Sequence, residues 1–210
     1  MDALPGAVSA AATRRGVDEV RGSSFVVGLV GVLLVGVVGG EAARTSQLRA
    51  EASRQVRALL PAASVSPVTV RGFPLLLTAL DGVVTQADTS VTTSDGRPGH
   101  LVLSEFDVSS GHARSALLVI RLAPMGSDLR EPRTDAGQAH DTVEHGGRRW
   151  RLVTSVDGNV VRVGPEDPDS GLATVVAVVP PSFRGATPQI LRATERETSV
   201  ELRADELGGR

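Results

Sequence analysis

Cysteine is absent from this chain. That excludes a disulfide scaffold, a Cys-ligated zinc site, a Cys nucleophile and a lipid-modified N-terminal Cys, so any membrane attachment comes from the chain itself. Lysine is absent too: all 22 basic residues are Arg. The usual phosphate-cradling loop ends in Gly-Lys-Ser/Thr and is therefore excluded. Arg without Lys is read as the codon bias of a GC-rich genome. Tyrosine is missing, and aromatics make up 2% of the residues against 41% hydrophobic. A core must then be built from Val, Leu and Ala, without the large areas that rings bury. A formal net charge of −2 gives no general attraction for nucleic acid or acidic lipid.

Catalytic patterns are also lacking. No Gly-x-Ser-x-Gly elbow occurs. His140 and His145 are five residues apart with Asp141 and Glu144 between them, whereas a metalloprotease pair needs His at i and i+4 of one helix. His100 and His112 stand beside glycines in turn-like contexts. Glu105 and Asp107 fall on one face of a candidate strand and read as a solvated face. No catalytic residue, metal site or cofactor is assigned.

The clearest positive feature lies between Arg21 and Glu41, an interval without charge whose centre reads Phe25-Val-Val-Gly-Leu-Val-Gly-Val-Leu-Leu-Val-Gly-Val-Val38. As a helix, residues 24–40 would extend roughly 25 Å, close to the hydrocarbon thickness of a bilayer. Arg14, Arg15 and Arg21 precede it and Arg44, Arg49, Arg54 and Arg57 follow it, so Arg counting alone leaves the orientation open. A short tail before a single apolar segment reads as an export signal with the N-terminus inside. The expectation is an uncleaved anchor. Cleavage after the segment, near Gly39 to Ala43, is the alternative. Gly36 and Gly40 form a Gly-x-x-x-Gly pair of the kind that packs membrane helices.

Residues 1–22 read as a cytoplasmic tail. Leu48, Ala52, Val56, Leu59 and Leu60 recur at near-helical spacing over 42–60, and Pro61 ends the pattern. Strand patterns follow. Val83, Thr85, Ala87, Thr89, Val91 and Thr93 alternate with Gln86, Asp88, Ser90 and Thr92. Further strands are expected at 101–108, 115–122, 149–156, 160–163, 173–179 and 198–202, with a hairpin turn at Asp157-Gly158. Residues 123–147 read as a long mobile loop and Pro188–Thr194 as a short helix. Arg148-Arg149-Trp150-Arg151 joins cations to the only Trp. It reads either as a headgroup contact or as a strand entry with Trp150 in the core.

One segment is more specific: Val68-Thr-Val-Arg-Gly-Phe-Pro-Leu-Leu-Leu-Thr-Ala-Leu-Asp-Gly82. A strand runs into Gly72-Phe73-Pro74, then an apolar turn with Leu75, Leu76, Thr78 and Leu80, then Gly82 and a long alternating strand. With the order of anchor, helix, motif and strand, this resembles the LmeA-like phospholipid-binding family of actinobacterial envelopes over roughly residues 25–108. The resemblance implies a curved antiparallel sheet on helices, akin to tubular lipid-binding domains, and binding of phospholipids, phosphoinositides among them. It also implies a supporting role in envelope lipoglycan assembly.

The physical reading beside it is that a Val/Leu/Ala concave face leaves room for acyl chains, each buried CH₂ contributing about 0.8 kcal/mol. The alternative is that the leucines plug a core.

The sequence therefore leads to these expectations. The fold is α+β: an N-terminal transmembrane helix, then a curved antiparallel sheet packed on one or two helices. The parts are a tail (1–22), an anchor or signal segment (23–41) and an extracytoplasmic lipid-binding domain (42–210). Phe73, Pro74, Leu75, Leu76, Leu77, Leu80 and Trp150 are the lipid-contact candidates. Phospholipid is the partner, the membrane is engaged through 24–40, and nucleic acid is not a partner. The chain is a single-pass, non-enzymatic membrane protein, or a secreted one if cleaved. The runner-up is an anchored interaction domain without a lipid ligand.

Overall fold

The computed structural model describes residues 44–71, 82–134, 137–138 and 141–208. The chain divides into two compact units, Met1–Ala43 and Arg44–Arg210. The first, with the tail and the expected span at 23–41, lies outside the described residues. None of the described helices is long and apolar enough to cross a membrane.

The described part of helix α1 is residues 44–59. Its sequence is rich in Ala, Leu, Arg and Gln, which lose little side-chain freedom in a helix. Leu48, Ala52 and Val56 are buried at intervals of four, and Leu60 follows them into the core just before Pro61 ends the pattern.

The chain then becomes antiparallel sheet, as the alternation predicts. The strands are β1 (Ser64–Val65), β2 (Thr69–Arg71), β3 (Val83–Thr92), β4 (Pro98–Asp107), β5 (His112–Leu122), β6 (Arg133–Thr134), β7 (Gly137–Gln138), β8 (Thr142–His145), β9 (Arg148–Asp157), β10 (Val160–Pro165), β11 (Val175–Val178), β12 (Thr187–Ala193) and β13 (Thr198–Ala204). A curved seven-stranded sheet has the order β1-β3-β4-β5-β13-β12, with β2 also paired to β3. β1 and β2 thus share one edge of β3, β1 opposite Val91 and Thr92 and β2 opposite Gln86 to Asp88. A four-stranded sheet runs β11-β10-β9-β8, and β6 and β7 form a small ribbon. With α1 as the described helix, the class is α+β.

The inner face of the large sheet is closed. Leu101, Leu103, Leu118, Ile120 and Leu202 are fully buried in one apolar cluster with Ala52 and Val56 of α1 and Leu60 just after it. The expectation of acyl-chain room on a concave aliphatic face is corrected for the described residues: the chain's own Val, Leu and Ala fill it, because α1 brings its apolar arc to that cluster.

A seam crosses three central strands. The buried residues step by three instead of two, from Val84 to Ala87, from Leu103 to Phe106 and from Ala113 to Ala116. The cross-strand register stays constant, with Val84↔Phe106↔Ala113 on one side and Ala87↔Leu103↔Ala116 on the other. Each strand therefore turns two consecutive residues outward at the same level. In β4 the step is made at Glu105, whose φ is +48°, a left-handed conformation rare for a residue with a Cβ. This corrects the expected face of β3. Ala87, Thr89, Val91 and Thr93 are buried as a set, but beyond the seam Val84 is buried while Val83 is exposed and Thr85 points out.

Two further expectations change. Residues 188–193 belong to strand β12, not to a helix, and Thr194 follows the strand. Its register shifts between Ile190 and Arg192, so buried Ile190 and Ala193 fall three apart. That bulge imitates helical spacing in the sequence. The stretch expected as a mobile loop, where described, is anchored at several points. Met125 and Leu129 are each 2% exposed, Arg130 and Glu144 exchange backbone hydrogen bonds, and β8 and β9 form a hairpin turning at Gly146-Gly147, both with positive φ. Side chains also tie distant parts together. Asp95, in the β3–β4 turn, accepts from the Val178 amide of β11 at 3.1 Å.

Candidate functional site

The motif residues Phe73, Pro74, Leu75, Leu76, Leu77 and Leu80 lie outside the described residues, as does His140. What surrounds the motif is clear. β2 pairs with β3 up to Arg71↔Gln86, so residues 72–81 depart from and return to one edge of the large sheet. That edge is tied to α1, since the Ser53 hydroxyl accepts from the Val68 amide at 3.4 Å.

Trp150 is half-buried on β9 and packs against the core. Its indole Nε1 donates to the His145 carbonyl oxygen at 3.1 Å, so the polar end of the ring is satisfied internally. The neighbouring Arg148, Arg149 and Arg151 are exposed. Arg149 pairs with Glu144 at 3.1 Å, and Arg151 lies 3.8 Å from Asp141 and 3.9 Å from Glu166.

The remaining histidines do not converge. His100 is exposed on β4, His112 is half-buried at the start of β5, and His145 Nδ1 is 3.0 Å from the Ser127 carbonyl oxygen. His145 borders an open hollow of about 340 Å³ with Asp128, Arg130 and Glu144. No group of three His, Asp or Glu side chains able to hold a metal ion occurs among the described residues.

Glu105 and Asp107 serve separate partners. Both Glu105 carboxylate oxygens accept from Arg114 Nη1, at 3.1 and 3.0 Å, on the exposed face. Asp107 closes the β4–β5 turn. Its Oδ1 accepts from the Ser109 amide at 2.9 Å and the Ser109 hydroxyl at 2.7 Å, and its Oδ2 accepts from the Ser110 hydroxyl at 2.7 Å.

The hydroxyl hydrogen bonds from Ser109 and Ser110 hold the Asp107 carboxyl down at about 2, from 3.8. A depressed folded-state pKa contributes stability above the unfolded value, and that contribution is lost as pH falls through the folded one. Asp107→Asn should therefore cost about 1 kcal/mol at neutral pH, solvent screening keeping it small. The gap in melting temperature between the two proteins should narrow from about pH 4 down to pH 2. A gap that persists unchanged into acid would disprove a role for the carboxylate charge.

An open cleft of about 700 Å³ lies between the end of α1, the β4–β5 turn, the 3-10 turn Pro181–Phe183 and residues 206–208. Gln55, Ser110, Ser182, Arg184 and Glu206 line it beside Leu59 and Leu207. Its floor depends on close backbone approach. A Cβ on Gly208 would collide with the Gly111 carbonyl oxygen, and one on Gly111 would lie 2.8 Å from Gln55 Oε1. Leu207 and Ala113 exchange backbone hydrogen bonds beside it. The cleft draws on segments about 150 residues apart in sequence (Gln55 to Gly208), and its glycines have no local pattern, so sequence reasoning had no signal for it.

Comparison with known protein families, with curated proteins and with solved structures finds no match to this chain.

Proposed function

We propose that this chain is a non-catalytic phospholipid-binding protein of the cell envelope. Residues 24–40 hold it in the membrane, or direct its export if they are removed, and the domain from residue 42 lies outside the cytoplasm. There it supports envelope lipid or lipoglycan assembly. The observation that carries this reading is the β2–β3 pairing, which brings the residues flanking the Gly-Phe-Pro-Leu-Leu-Leu segment to the edge of a curved sheet that β1 and β2 form. The helix before it and the long strand after it are the elements that the resemblance to the LmeA-like family implies. Lipid contact is assigned to that edge through Phe73, Pro74, Leu75, Leu76, Leu77 and Leu80, with Trp150 as the other candidate. The filled inner face of the large sheet is not the acyl site.

That same filled face favours a second reading, an anchored interaction domain without a lipid ligand. Native mass spectrometry of the full chain, purified in mild detergent from cells rich in envelope lipid, separates the two. A co-purifying phospholipid, lost in Leu76→Asp while the variant keeps its melting transition, is the expected result. An apo mass that stays unchanged after incubation with phospholipid vesicles would leave the interaction domain as the better reading.

A further inference from the structure

Helix α1 uses only one arc of its surface in the fold. Leu48, Ala52 and Val56 are buried, while Arg44, Arg49, Arg54 and Arg57 are exposed. Arg54 is held by Glu51 one turn before it. Arg49 and Arg57 make no ion pair among the described residues. Charge is also distributed unevenly. Residues 44–59 carry four Arg and one Glu, a net +3, whereas the other 18 Arg and 23 acids leave the rest of the chain at −5. The basic helix follows the charge-free apolar segment 24–40 in sequence, with only Glu41-Ala42-Ala43 between them.

We propose that α1 docks through this arginine face on the anionic phospholipid headgroups of the membrane that holds residues 24–40. This rests on the membrane-anchored part of the function proposed above. A cluster of basic residues next to a membrane segment is attracted to an anionic surface, each residue strengthening the association roughly fivefold. Guanidinium groups suit that partner, since their fork of donors matches phosphate oxygens. The apolar arc of α1 is committed to the domain core. The helix therefore does not sink into the bilayer as an interfacial amphipathic helix does. Docking is then almost wholly electrostatic and is screened by salt over a Debye length of about 10 Å at 0.1 M.

Lack of cysteine makes the test simple. Ala50 is exposed on the same helix, so Ala50→Cys gives the full chain one site for a fluorophore. The labelled chain is mixed with vesicles of phosphatidylcholine alone, or of phosphatidylcholine and phosphatidylglycerol, each carrying a headgroup-level quencher, and is then floated. The expected result is flotation with both vesicle types and quenching only with the anionic one, reversed by high salt. Arg49→Ala/Arg57→Ala should lower the docked-to-undocked ratio roughly twenty-five-fold, at fivefold per Arg. It should leave the fold intact, because both side chains are exposed and Ala favours helix. Flotation with both vesicle types but equal quenching would overturn the docking and leave the anchor standing. Failure to float with either would overturn both.

Discussion

Phe106→Ala is expected to lower the stability of the domain by about 3–5 kcal/mol, as truncation of a buried Phe does. The ring is fully buried on β4, between Val84 of β3 and Ala113 of β5, which are themselves fully buried. With 2% aromatics in the whole chain, few side chains of this size hold the core, and Ala113 is too small to close over the space. The loss would be a large fraction of the roughly 5–15 kcal/mol that holds a typical domain together. Urea unfolding is the measurement: the midpoint should fall sharply while the slope stays unchanged. Phe106→Leu keeps most of the volume and should cost under about 1.5 kcal/mol. If the two variants were equally mild, the packing beyond the seam would not be contributing to the core. The seam explains why this residue matters. Phe106 faces inward only because β4 turns both Ser104 and Glu105 outward, and the +48° φ at Glu105 is part of that turn.

Several strands were legible from local alternation because one face of each is buried and the other is solvated. The buried sets Thr89/Val91 and Leu118/Ile120/Leu122 show this directly. The helix at 44–59 was legible because Leu48, Ala52, Val56 and Leu60 repeat every four residues. Where the period broke, the pattern misled. At the seam and at the β12 bulge, buried residues fall three apart, which is helical spacing produced by strands. The polar stretch after β5 misled for a different reason. Single apolar residues such as Met125, Leu129 and Val143 anchor it, each fully or almost fully buried, and isolated anchors leave no periodicity to read. The proposed lipid site is read from the local Gly-Phe-Pro segment alone, and that segment lies outside the described residues. The cleft beside Gly111 and Gly208 and the charge imbalance between α1 and the rest of the chain required either the assembled fold or a count taken helix by helix.

Glu131→Ala is the second substitution expected to have a large effect, about 2–3 kcal/mol of lost stability. The Glu131 side chain is 7% exposed, and its nearest basic group, Arg192 Nε, is 4.0 Å away and mostly exposed. The strong contact is with the backbone: Oε1 accepts from the Ala193 amide at 2.9 Å. Ala193 is fully buried at the end of β12, the outer strand of the large sheet. Without the carboxylate, that amide is left buried and unpartnered, a cost above the loss of the hydrogen bond itself. Glu131→Gln keeps an acceptor oxygen and should cost about 1 kcal/mol, the difference being the charge. Amide hydrogen exchange at Ala193 should speed up in Glu131→Ala and much less in Glu131→Gln. Equal effects in the two variants would show that the side chain acts through its volume and not through the bond.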